Sequence, residues 1–176
     1  DSQIVGKNNF SGRNILYGIR EFAMACISNG LALMGFKAFA STFFVFSDYM
    51  RSAVRMSSLM KLPVVYILTH DSIAVGEDGP THEPIEQLAS FRAMPNLNVF
   101  RPCNERECFE AYRTAFSEVS TPSLIILTRQ QLRVLEGIEY DNMDKGAYII
   151  SKEGKGVLDG IIIATGSEVY LALEAK

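Results

Sequence analysis

The chain has 176 residues, 48% of them hydrophobic and 21% charged, enough apolar content to bury one substantial core within one main domain. A formal net charge of −3, without a run of Lys or Arg, offers no basic field for nucleic acid or an anionic membrane, and no apolar stretch approaches the roughly 20 residues that cross a bilayer. The first ten residues are too polar for a secretory signal and the three cysteines cannot all pair with one another, so reduced thiols in a cytoplasmic protein are expected.

From the N-terminus, residues 14–17 predict a strand, 21–34 a strongly apolar helix, 37–40 a strand, 44–60 a helix stopped before Pro63, and 64–69 a strand. Residues 85–92 predict a helix stopped before Pro95, 97–100 a strand, 105–117 a helix and 123–128 a strand. This alternation predicts an α/β fold: an open, mainly parallel sheet with helices on both faces. Residues 64–68 are continuously apolar, which puts that strand at the centre with both faces covered.

After Arg129 the texture changes. Residues 130–145 are polar and irregular, and 147–151 and 161–164 read as strands around a Gly-rich turn. Two units are expected: residues 1–155 as the main α/β domain with a C-terminal linker, and 156–176 as the start of a truncated second α/β domain. The chain begins at Asp1 without an initiator methionine and ends inside a helical pattern, so a piece of a longer protein is expected.

The informative loop, residues 70–84, follows the central strand and contains both histidines, His70 and His82, with Asp71, Glu77, Asp78 and Glu83. Ligands of open α/β sheets bind at the carboxyl ends of strands. Gly76 and Gly79 permit a tight path and Pro80 and Pro84 restrict it, giving a preorganised polar pocket, against the alternative of a solvated surface loop. A metal held here is not expected: the histidines are 12 positions apart, and Ile73 and Val75 stand where a calcium loop needs oxygen ligands. No phosphate-binding glycine loop or GxSxG elbow occurs. Glu21 can be read as a helix-start charge or a functional carboxylate, Phe43, Phe44, Phe46 and Tyr49 as core or as a cofactor surface, and Arg129 as an anion ligand or half of an ion pair.

Over residues 10–137 these motifs, in order and spacing, closely resemble transketolase: Tyr17-Gly18-Ile19-Arg20-Glu21, Thr42-Phe43 with Phe46 and Tyr49, Ala53-Val54-Arg55, the whole 70–84 loop, Arg101-Pro102 and Arg129-Gln130. The string Gly-Glu-Asp-Gly-Pro-Thr-His is similar to transketolase or its relative dihydroxyacetone synthase. The resemblance implies the domain that binds the aminopyrimidine of thiamine diphosphate. It implies Glu21 as the catalytic carboxyl that exchanges a proton with ring N1′, and Phe43, Phe46 and Tyr49 as the pocket, with Phe46 stacked on the ring. It also implies His70 and Arg129 in a sugar-phosphate clamp, Asp78 on a substrate hydroxyl, and His82 as a catalytic polar contact to the donor carbonyl.

The activity so implied is transfer of a two-carbon ketol unit between ketose and aldose phosphates. The implied partners are sugar phosphates, the remaining domains of the same enzyme and a second subunit in a homodimer, the all-round apolar helix at 21–34 lying in the interface. The signature that holds Mg²⁺ and diphosphate in the family does not occur here, so those ligands are expected from a domain outside this chain. Gln131, Thr128, Ala74 and Glu83 replace the family's usual asparagine, serine, glycine and glutamine. The competing reading is a non-catalytic α/β module that binds a sugar phosphate or a partner protein.

Overall fold

The computed structural model describes residues 3–135, 145–154, 156 and 158–176. Helix α1 (Glu21–Leu33) leads into strand β1 (Phe39–Phe43), a 3-10 turn (Phe44–Phe46) and helix α2 (Ser47–Leu59). Strand β2 (Val65–Thr69), helix α3 (Gln87–Arg92), strand β3 (Asn98–Phe100), helix α4 (Glu105–Ser117) and strand β4 (Ser123–Ile126) follow, and helix α5 (Glu168–Glu174) comes last. The four strands form one sheet in the order β1-β2-β4-β3, and every pairing is parallel.

Local chemistry sets the helix ends. After α1, Gly35 takes a φ of 84°, and the amides of Gly35 and Phe36 donate to Ala32 and Leu31, capping the carbonyls in a Schellman arrangement. Helix α2 closes the same way with Lys61 at φ 54°, its amide on Ser58 and that of Leu62 on Ser57. At the start of α4, the Asn104 side chain accepts from the Glu107 amide at 3.0 Å, and Glu107 reaches back to the Cys103 amide at 2.6 Å.

The sheet is covered on both faces, as its apolar central strand requires. One core joins Met24 and Ala25 of α1, Met50, Ala53 and Val54 of α2 and Phe91 of α3 to Ala40, Tyr66, Leu68, Leu124 and Ile126. The other packs Ala111 and Ala115 of α4 on Val65 and Ile125, the alternate side chains of the same two strands. The first core contains a polar knot. Asn29 donates to the Ala53 carbonyl at 2.9 Å and accepts from Ser57 at 2.6 Å, and Ser57 and the Tyr66 hydroxyl meet at 2.8 Å.

Three expected strands do not form. Asn14 makes an isolated bridge to Ile4, and residues 15–17 join no ladder. Residues 147–151 and 161–164 take no strand conformation either, and Ile163 is 89% exposed. A strand needs a neighbour for its amides and carbonyls, and the sheet's ladders join only β1, β2, β4 and β3 among the described residues. Strand β1 runs later than expected, through Thr42 and Phe43, because it pairs residue for residue with Val65–Thr69. The polar stretch at 130–145 lies largely outside the described residues. Among those described, no helix is long and apolar enough to cross a membrane.

Candidate functional site at the carboxyl ends of the strands

Parallel register brings the ends of three adjacent strands level. Phe43 is opposite Thr69, and Leu68 is opposite Ile126, so the segments that begin at Phe44, His70 and Leu127 leave the sheet side by side. The β2–α3 loop is then folded by its own backbone. Gly76 and Gly79 adopt φ of 82° and 71°, the amide of Gly79 donates to Gly76 and that of His82 to Gly79, and buried Val75 anchors the turn. Ser72 accepts from the Ala74 amide at 3.3 Å.

These turns bring both histidines onto one aromatic surface. The His70 imidazole stacks on Phe43 with centroids 3.7 Å apart and 23° between planes. Phe43 runs parallel to Phe46 at 6.0 Å, and Phe46 continues to Tyr49 at 6.3 Å. His82 meets Phe46 edge-on at 5.3 Å and Phe43 at 6.4 Å. Each imidazole is oriented by a neighbouring hydroxyl, His70 Nδ1 by Thr69 Oγ1 at 2.9 Å and His82 Nδ1 by Thr81 Oγ1 at 2.8 Å. Phe43, Phe46, His70 and His82 are half-buried and Tyr49 is exposed, so the surface is open to a flat partner. Phe44, the remaining aromatic of the run, points into the core, where it faces Phe91 at 6.2 Å.

The other expected site residues lie at the start of α1, in the β2–α3 loop and after β4. Glu21, half-buried, is the first residue of α1, where its charge complements the helix dipole; Asp78 and Arg129 are exposed. None of the three forms a side-chain hydrogen bond or ion pair with the rings among the described residues. Nor does any group of three or more His, Cys, Asp or Glu among them have the arrangement of a metal site. Cys103 offers no nucleophile: burial, with the Glu107 charge beside it, pushes its thiol up to about 12.

Two residues that the sequence reading left unassigned sit directly behind the cluster. Asp71, next to His70, is fully buried, and its Oδ2 accepts from Arg101 Nε at 2.8 Å and Nη2 at 2.7 Å. Arg101 also pairs with Glu168 and donates to the Thr165 carbonyl at 3.0 Å. Burial works against the guanidinium charge, but the bonds and charges of Glu168 and Asp71 outweigh it and raise the Arg101 pKa. The available signal was positional, since Asp71 and Arg101 each follow a strand end by one or two residues. His70 itself has φ 62°, a left-handed value that costs a non-glycine residue about 1–3 kcal/mol and persists only where neighbours enforce it.

The family model for the transketolase pyrimidine binding domain matches residues 2–134. The chain is 57% identical over 172 residues to the transketolase of Streptococcus pyogenes serotype M6, an overlap that takes in 96% of this chain and 24% of that protein. A solved transketolase variant from Pichia stipitis superposes with a TM-score of 0.92 at 44% identity, covering 99% of this chain and 26% of that one. Transketolase from the same organism in complex with sedoheptulose-7-phosphate superposes at 0.89 with 47% identity, over 95% and 25% of the two chains. The chain therefore spans about a quarter of the length of these relatives. It belongs to the transketolase family, as that family's pyrimidine-binding domain.

Proposed function

We propose that this chain supplies the aminopyrimidine pocket and part of the sugar-phosphate site of a thiamine-diphosphate enzyme that transfers a two-carbon ketol unit from a ketose phosphate to an aldose phosphate. The observation that carries the reading is the open aromatic surface of Phe43, Phe46 and Tyr49, rimmed by both histidines at the ends of β1 and β2. Its residues fit the cofactor's ring: flat half-buried faces for stacking and imidazole nitrogens at the rim for polar substrate atoms. When bound, thiamine diphosphate supplies the carbon nucleophile for ketol transfer.

In this reading Glu21 holds and exchanges the proton at ring N1′, Phe46 stacks on the aminopyrimidine, and Phe43 and Tyr49 exclude water beside it. His70 and Arg129 hold the sugar phosphate, the arginine through its two-pronged fork, while Asp78 accepts from a substrate hydroxyl and His82 donates to the donor carbonyl. Ligands for Mg²⁺ and the diphosphate come from residues outside this chain. Residues 1–155 form the aminopyrimidine unit, residues 156–176 belong to a second α/β unit, and the working enzyme is a homodimer. The solved relative with a bound seven-carbon sugar phosphate supports this substrate class.

The test is thiamine diphosphate binding to the full-length protein by calorimetry in the presence of Mg²⁺. Phe46→Ala should weaken it by roughly 2- to 10-fold from lost stacking alone, and further through lost apolar contact. Unchanged affinity would remove the aromatic surface from the cofactor site.

A further inference from the structure

Arg101 and His70 share no hydrogen bond among the described residues, yet the structure connects them through one buried ion pair. In the sheet order β1-β2-β4-β3, the strand that precedes Arg101 and the strand that precedes His70 are separated by β4. Arg101 therefore reaches across the end of β4, about 9–10 Å at ordinary strand spacing, to grip Asp71. The pair is dry, with side chains 7% and 0% exposed. Both donated bonds fall on Asp71 Oδ2, and Oδ1 has no hydrogen-bond partner among the described residues, so the compensation of this buried charge rests on the guanidinium. Asp71 is thereby pinned, and the residue pinned beside it is the histidine at φ 62° stacked on Phe43.

The far side of Arg101 is equally fixed. Its Nη1 donates to the Thr165 carbonyl at 3.0 Å and pairs with Glu168, its Nη2 lies 3.4 Å from Ser167 Oγ, and its own carbonyl accepts from the Gly166 amide at 3.0 Å. Gly166 has φ 59°, and a Cβ added there would lie 2.9 Å from Arg101 Cγ, Nε and Cζ. Glycine is thus required for the arginine to lie flat between Asp71 and the start of α5.

We propose that Arg101 is a positioning residue for His70: by holding Asp71 it enforces the left-handed backbone of the histidine and keeps the imidazole on Phe43, and by holding the 165–168 segment it makes that placement depend on the docking of α5. Without Arg101 the Asp71 carboxylate must take up a proton, admit water or turn outward, and each response releases the backbone at residues 70–71. The functional part of this inference rests on the reading of His70 as a sugar-phosphate ligand.

The experiment uses the full-length protein with Arg101→Lys, Arg101→Met and Gly166→Ala, the last leaving both charges in place and deciding the matter if Arg101→Met does not fold. Two readouts are taken: crystal structures of the variants, and KM and kcat with phosphorylated and unphosphorylated ketose donors. The expected result is loss of the His70–Phe43 stack in Arg101→Met and Gly166→Ala. KM for phosphorylated donors should then rise roughly 10-fold, as when one charged hydrogen bond to phosphate is lost, with kcat and the unphosphorylated donor changed little. Arg101→Lys, which keeps the charge but loses the fork, should fall between these and the parent. An unmoved His70 in the variants that fold overturns the positioning role. A displaced His70 with unchanged KM ratios supports the positioning role and overturns the assignment of His70 to the phosphate.

Discussion

Glu21 and the two histidines are positioned by different physical means. The imidazoles are oriented by contacts that can be named, namely Phe43, Phe46 and the hydroxyls of Thr69 and Thr81. Glu21 has its position from the helix start alone, where an acid favours the first turn through the exposed amides of α1. That difference makes a sharp test possible. Glu21→Gln preserves size, polarity and the capping environment but cannot exchange a proton, so the full-length enzyme should fold and bind thiamine diphosphate. Exchange of the thiazolium C2 hydrogen with deuterium, followed by NMR after acid quench, should slow by about 10² to 10⁴. Exchange at the parental rate would end the assignment of Glu21 as the proton-handling group.

At the scale of elements, the packing of α1 and α2 on β2 depends on a polar knot. Asn29 is buried between the helices and satisfies both ends of its amide, through the Ala53 carbonyl on one side and the hydroxyls of Ser57 and Tyr66 on the other. Asn29→Leu would fill the same space but strand these partners, and should destabilise the protein by about 1–3 kcal/mol. A lower urea midpoint at unchanged slope would be the expected reading, and an unmoved midpoint would mean that Ser57 and Tyr66 satisfy one another without it.

Much of this architecture was legible in the sequence. The period-3.6 stretches at 21–34 and 105–117 and the apolar run at 64–69 each became the expected element, because long periodic patterns survive tertiary context. The segments at 14–17 and 161–164 have strand composition but no partner strand beside them, and composition cannot supply a ladder. In the site, the loop with both histidines was readable because its residues are contiguous. The Asp71–Arg101 pair was not, since the two meet across an intervening strand that only the sheet order reveals. The buried face of α1 was hidden for a related reason. Met24, Ala25, Ser28 and Asn29 point inward, and because two of these four are polar, the all-round apolar composition of the helix does not single them out.

For the whole molecule, the outer face of α1 departs from what a solvated surface needs. Phe22, Cys26, Ile27 and Leu33 are exposed along it, Phe22 at 53% and Leu33 at 62%, and Met34 and Phe36 extend the patch. Such a face calls for a cover, and a second copy related by a two-fold axis is the commonest one. We expect Phe22→Glu with Ile27→Glu to convert the full-length protein from dimer to monomer in light scattering, with loss of ketol transfer. A dimer that survives both charges would move the interface elsewhere.

The knot around Tyr66 also sets how the molecule meets strong base. Burial, moderated by the Ser57 hydrogen bond, raises the phenol's pKa well above its ordinary 10.0. Because the folded state keeps this proton where the unfolded chain releases it, stability from this group is intact below pH 10 and is lost as pH climbs towards the folded value. Urea unfolding measured against pH should therefore show an alkaline edge approaching 1.4 kcal/mol per pH unit, about one proton's worth, which Tyr66→Phe flattens. The chain has no tryptophan, so in an optical titration of this chain the tyrosinate band is unobscured. Part of that band should remain silent until the fold gives way and then rise together with unfolding, so that the colour of one phenol reports the integrity of the sheet.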